Sequence, residues 1–146
     1  MFKKAFSLLV LIFLTCTLVQ AEVKKVAIID LQKVISKSAQ VQALKKEQDK
    51  NQKEIAQIVK KAGEEIKKEP DVNKKKALAD KYEKQLKTKR EANSKNYKTK
   101  LEAIDKSINA TISQQAKAMG YDMVLTKGVV LYGGDDITEA VCKVVK

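Results

Sequence analysis

The chain has 146 residues, a formal net charge of +12 and no histidine. Its length and single compositional break fit one domain carrying a long projection. Lack of histidine removes the commonest general base and metal ligand, and no glycine-rich phosphate loop, nucleophile elbow or Cys-x-x-Cys is present, so the composition argues against an enzyme and implies no cofactor and no metal.

The chain opens with Lys3 and Lys4, a mostly apolar run over residues 5–14, and Val19-Gln20-Ala21 ahead of Glu22. This pattern predicts a secretory signal peptide over residues 1–21, cleaved after Ala21. The apolar run is shorter than the ~20 residues that a membrane-spanning helix needs. Phe13-Leu14-Thr15 lacks the small residue expected before a lipidated cysteine at Cys16. Without the leader the chain carries 28 basic and 18 acidic residues and one cysteine, Cys142. Lying among Val141, Val144 and Val145, that cysteine reads as a small apolar side chain and not as a reactive thiol.

Val26-Ala27-Ile28-Ile29 predicts a short strand buried on both faces, and Asp30 a helix N-cap directly after it. Residues 36–119 hold one proline, Pro70, and one glycine, Gly63, in a sequence rich in Lys, Glu, Gln and Ala. Two long helices folded back at Pro70 are predicted, with Asp71 or Asn73 capping the second. The arms would extend ~50 to ~70 Å. Leu44, Ile55 and Ile66 are eleven apart, as are Leu86, Tyr97, Ile108 and Met119, and Tyr82, Asn93, Ile104 and Gln115. That period favours nearly straight packing, and the polar positions along it predict a thin seam that yields toward the tip.

Gly120 predicts the helix stop. Beyond it, residues 121–126 and 129–132 read as two strands of a hairpin across Lys127-Gly128. Asp136-Ile137-Thr138-Glu139 reads as a capping box opening a short helix whose Ile137, Val141 and Val144 share a face. Residues 22–35 and 120–146 thus form a small body of 41 residues. That is near the ~40-residue limit below which a core needs disulfides, metal or association. Strands apolar on both faces in so small a body predict a homo-oligomer, with Val26, Ile28, Ile29, Val124, Leu125, Val130 and Leu131 as its core. The predicted class is therefore α+β and predominantly helical, a small β-rich body bearing a long antiparallel helical hairpin.

The excess positive charge lies entirely on that hairpin: residues 36–119 hold 22 basic and 12 acidic side chains, and the rest of the exported chain holds six of each. The excess exceeds what a solvated Lys/Glu face requires and predicts attraction of an acidic or anionic partner. Lys74, Lys75, Lys76, Lys84, Lys87, Lys89, Arg90, Lys95 and Lys98 are the candidate binding residues of the arm. Export removes nucleic acid as a physiological partner.

In order along the chain, the leader, Val26-Ala27-Ile28-Ile29-Asp30 with Leu31-Gln32-Lys33-Val34, the basic hairpin, Tyr121-Asp122-Met123-Val124-Leu125, residues 129–132 and Asp136-Ile137-Thr138 resemble the Skp/OmpH family of periplasmic chaperones. The resemblance covers the whole exported chain. It implies a homotrimer with a β-rich trimerisation body and helical tentacles enclosing a cavity. It also implies a coiled-coil, ATP-independent holdase that carries unfolded outer-membrane proteins through the periplasm during outer-membrane biogenesis. A lipopolysaccharide patch on basic arm residues, which some relatives carry, finds no residue-by-residue match here, because Arg90 is the arm's one arginine. Lipopolysaccharide or an anionic membrane surface stays open as a partner, and a structural coiled-coil protein that binds such envelope polymers is the alternative reading.

Overall fold

A computed structural model describes residues 24–146. The predicted signal peptide and its cleavage site lie outside the described residues. Strand β1 is Val26–Ile29, followed by helices α1 (Leu31–Lys37), α2 (Ala39–Lys68) and α3 (Val72–Ala118). Strand β2 (Met123–Thr126), a 3-10 turn (Lys127–Val129), strand β3 (Asp135–Asp136) and helix α4 (Thr138–Cys142) complete the chain. The class is the expected one, α+β and predominantly helical.

Helix boundaries follow local chemistry. Asp30 caps α1, its Oδ1 accepting from the Lys33 N–H at 3.0 Å. Asp71 caps α3 in the same way, accepting from the Lys74 N–H at 2.9 Å. Between α2 and α3, Glu69 and Pro70 turn the chain outside either arm, since proline disfavours helix in the residue before it. Gly120, at φ +79°, ends α3: its N–H donates to the Lys117 carbonyl and the Tyr121 N–H to the Ala116 carbonyl, both at 3.0 Å, a Schellman closure. At 1.5 Å per residue the arms are about 45 and 70 Å long.

One break had no counterpart in the expected continuous first arm. At Ser38 the backbone turns extended, separating α1 from α2. The Ser38 hydroxyl accepts from the Val41 N–H at 3.4 Å and donates to the Lys146 carbonyl at 2.6 Å, so this fully buried polar side chain is satisfied on both sides.

The sheet is parallel throughout, in the order β2-β1-β3. This corrects the expected hairpin: residues 129–132 are not a strand, and β2 pairs with β1, Val26 opposite Met123 and Ile29 opposite Thr126. Parallel neighbours need a crossover, and the turn at Lys127–Val129 begins the segment that carries the chain over β1 to its far side. There Ala27 and Ile28 pair with Asp135 and Asp136. The Ile137 N–H continues the ladder to the Ile28 carbonyl at 3.0 Å. Gly134 allows this approach: at φ +88°, an added Cβ would lie 2.8 Å from Ile28 Cγ1.

The expected capping box is also corrected. Asp136 Oδ1 accepts from the Thr138 N–H at 2.9 Å, two residues on, while Glu139 pairs with Lys33 instead of reaching back. Ile137, just before helix α4, and Val141 within it are buried, but the helix ends at Cys142, which leaves Val144 47% exposed.

The core lies between one face of the sheet and the base of the arms. Ala27 and Ile29 of β1, Val34 of α1, and Ile137 and Val141 pack with Leu44, Ile104, Ile108, Ile112 and Ala116 of the arms. Strand β1 therefore alternates, with Ala27 and Ile29 inward and Val26 and Ile28 only half-buried, in place of the two fully buried faces expected. The lower third of the hairpin is part of this core and gives the body an apolar partner that residues 22–35 and 120–146 alone do not supply. Cys142 packs at the edge of the cluster, where burial pushes its thiol upward in pKa.

The candidate binding arm

Above the core the two arms meet along a seam that is partly apolar and partly polar. Ala62 and Tyr82 are buried in it, with Ile55, Ile58, Ile66, Leu78 and Leu86 half-buried beside them. Of the eleven-residue series, Tyr82, Asn93, Ile104 and Gln115 all face inward to some degree, whereas Tyr97 and Met119 are exposed. Eleven residues make just over three helical turns, so neighbouring stripes repeat with the same period, and the period does not tell the seam from the stripe beside it.

Three carboxylates of α2 close the seam. Glu47 accepts from Asn96 Nδ2 at 2.6 Å and pairs with Lys100, Glu54 pairs with Lys89 at 2.5 Å, and Glu65 accepts from the Tyr82 hydroxyl at 2.6 Å. Hydrogen bonds from Lys100 and Lys89 hold Glu47 and Glu54 below the usual carboxylate range. The hydrogen bond to Glu65, together with desolvation, pushes the Tyr82 phenol upward. Asn93 Nδ2 is buried in the same seam without a hydrogen-bond partner among the described residues. A seam of this kind gains less from apolar burial than one with large apolar side chains at each layer.

These carboxylates determine which cations stay free. All nine candidate residues of the arm lie on α3, and among the described residues only Lys89 is in an ion pair. Lys89 belongs to the seam. Lys84, Lys87, Lys95 and Lys98, at spacings of three, eight and three, share one side of the helix, and all four are exposed. Arg90 is exposed as well, and Lys74, Lys75 and Lys76 occupy the first turns of α3 at the exposed tip. The two tip acids are engaged locally, Asp71 as the N-cap and Glu69 accepting from the Asp71 N–H at 3.1 Å. Charge balance alone does not reveal the three seam carboxylates, yet spacings of seven from Glu47 to Glu54 and eleven from Glu54 to Glu65 place them on one helical stripe, a signal present in the sequence.

In the body, the residues expected to form an oligomer core divide into three groups. Ile29 is in the core of the single chain. Val26, Ile28, Val124, Leu125 and Val130 are half-buried. Leu131 is fully exposed, at 105%, beside Tyr132 at 99% and Val129. The acidic pair Asp135 and Asp136 is engaged within the chain: Asp135 accepts from the Tyr121 hydroxyl at 3.0 Å and Asp136 faces Lys127 at 3.5 Å. Among the described residues no helix is long and apolar enough to cross a membrane.

A small parallel-sheet body carrying a long, net basic helical hairpin is the architecture on which these residues are arranged. The model of the family described as Outer membrane protein (OmpH-like) matches residues 25–145, and the chain belongs to that family. Membership supports, at the level of the family, a periplasmic chaperone of outer-membrane proteins. A search of curated proteins finds no match to the chain.

Proposed function

We propose that the protein is an ATP-independent holdase that captures unfolded outer-membrane proteins between the basic arms of a homotrimer and keeps them from aggregating before insertion. The observation that carries this reading is the division of charge on the hairpin. Glu47, Glu54 and Glu65 are turned into the seam, and apart from Lys89 and Lys100 the lysines of α3 are left without ion-pair partners among the described residues. Such a surface attracts acidic unfolded chains over roughly the ~8 Å Debye length at physiological salt, without demanding a sequence.

Assembly is supported by a second observation. Val129, Leu131 and Tyr132 stand in solvent in the crossover that follows the edge strand β2, an apolar group that a single chain leaves uncovered. Other copies of the chain are the proposed cover, which places residues 22–35 and 120–146 in an oligomerisation body and residues 36–119 in the arm. Export by a signal peptide cleaved after Ala21 places the assembly in the periplasm. The tip lysines Lys74, Lys75 and Lys76, with Lys67 and Lys68 opposite, favour a second reading, a tether for anionic envelope polymers such as lipopolysaccharide.

Light scattering of a urea-diluted β-barrel protein separates the two. Suppression of aggregation at stoichiometric oligomer supports the holdase. Salt-sensitive binding to lipopolysaccharide with no effect on aggregation supports the tether.

A further inference from the structure

The hairpin is not uniformly basic. At its base a groove of about 470 Å³ runs between the arms, with Val41 and Leu44 of α2 on one wall, Tyr97 and Leu101 of α3 on the other, and Ile35 closing its body end. Ile104 and Ile108 line its floor. Tyr97 and Leu101 are among the most exposed large apolar side chains of α3, although a partner helix lies directly beside them.

The charged groups at the rim are Lys45, Asp49 and Asp105. Neither carboxylate takes part in an ion pair or a side-chain hydrogen bond among the described residues, in contrast to Glu47 and Glu54 a turn or two away. The rim is thus net acidic on an arm that is net basic. From Val41 to Asp49 the groove extends about 12 Å along α2. Side chains on one face of an extended strand recur every ~7 Å, so the groove has length for two of them.

We propose that this groove is a docking site for an extended segment of unfolded polypeptide, which places two consecutive same-face apolar side chains between Leu44 and Leu101 and a neighbouring lysine or arginine against Asp49 and Asp105. The occupant follows from shape and charge together. The groove is too short and open for a helix to bury a stripe in it, and the unpaired carboxylates complement a basic flank. This inference rests on the holdase reading and adds to it a site with a preference opposite to that of the arm: the lysines attract acidic stretches, and the groove retains apolar stretches beside a basic residue.

The test uses fluorescence anisotropy with two labelled peptides of alternating leucine and threonine, one flanked by lysine and one by glutamate. The proteins are the wild type, the pair Tyr97→Gln/Leu101→Gln, and the pair Asp49→Asn/Asp105→Asn, all at exposed positions. The first pair is expected to weaken the lysine-flanked peptide about tenfold or more by removing two apolar walls. The second is expected to weaken that peptide about fivefold and to leave the glutamate-flanked peptide unchanged or tighter. Unchanged affinity of the lysine-flanked peptide in both pairs overturns the groove, as does loss of the oligomer in Tyr97→Gln/Leu101→Gln, which would mark the groove as a contact between copies. The scattering assay is read separately. Wild-type suppression of aggregation with unaltered peptide binding removes the groove alone, while peptide binding that responds to the variants without suppression retains the groove and removes the holdase.

Discussion

Glu54 and Lys89 meet across the two arms, carboxylate Oε2 to ammonium Nζ at 2.5 Å. Nearer the body Glu47 gathers Asn96 and Lys100, and toward the tip Glu65 takes the Tyr82 hydroxyl. Where the apolar seam is thin, the arms are held by polar clasps. Clasps of this exposure respond to salt and acid, which the apolar core around Ile29 and Val141 does not.

The acid response has a definite sign. Hydrogen bonds from Lys100 and Lys89 lower the folded-state pKa of Glu47 and Glu54, so their contribution is complete above the unfolded value of about 4.3 and disappears as pH falls through the lower folded value. With no histidine in the chain, nothing comparable happens near neutrality. Amide protection factors of the middle of α2 and α3 are expected to be flat from about pH 6 to 8 and to fall below about pH 4, before the body is affected. Glu47→Gln with Glu54→Gln should reproduce that loss at neutral pH.

Ser38 is buried and satisfied at both ends, as a cap for α2 and as a donor to Lys146. Ser38→Ala removes both bonds and should lower stability by about 1 to 2 kcal/mol. The midpoint of thermal unfolding, compared at fixed protein concentration, checks it.

Two adjacent glycines make a controlled pair. Gly133 and Gly134 both have positive φ, but only at Gly134 does an added Cβ run into Ile28, with the Val26 carbonyl 3.3 Å away. Gly133→Ala should cost about 1 kcal/mol from backbone strain alone, and Gly134→Ala about 2 to 4 kcal/mol from strain plus overpacking. Equal losses in urea denaturation would contradict the packing of the crossover against β1.

Leu131 has no shelter in the single chain. Leu131→Asp is therefore expected to leave far-UV circular dichroism unchanged and to dissociate the oligomer in sedimentation equilibrium. A folded oligomer of unchanged mass would remove this segment from the interface.

Lys74, Lys75 and Lys76 are exposed, unpaired among the described residues and far from the body. Replacing all three with glutamate should weaken client capture and flatten its dependence on salt, while sedimentation of the free protein stays the same.

Features set by a residue and its immediate neighbours were legible in the sequence. Asp30, Pro70, Asp71 and Gly120 act where their side chains or φ preferences say they should. The parallel sheet was not legible, because it is made by contacts about a hundred residues apart. Residues 129–132 carry strand-forming side chains yet form no strand, while Asp135 and Asp136, poor strand formers, do so because β1 presents a free edge to them. The nine basic candidates were visible as charge. That Lys89 belongs to the seam, and that Tyr97 and Leu101 line a groove, depends on which of two nearly equivalent helical stripes faces α2, and that is decided by packing against the body.

The assembled arms are proposed to hold an unfolded outer-membrane protein in soluble form. Sedimentation velocity of the protein mixed with a fluorescent, urea-diluted β-barrel protein at low salt tests it most directly. One soluble fluorescent boundary is expected, heavier than the free oligomer by the mass of the bound client and dispersed by high salt. Client pelleting as aggregate while the protein sediments alone would contradict it.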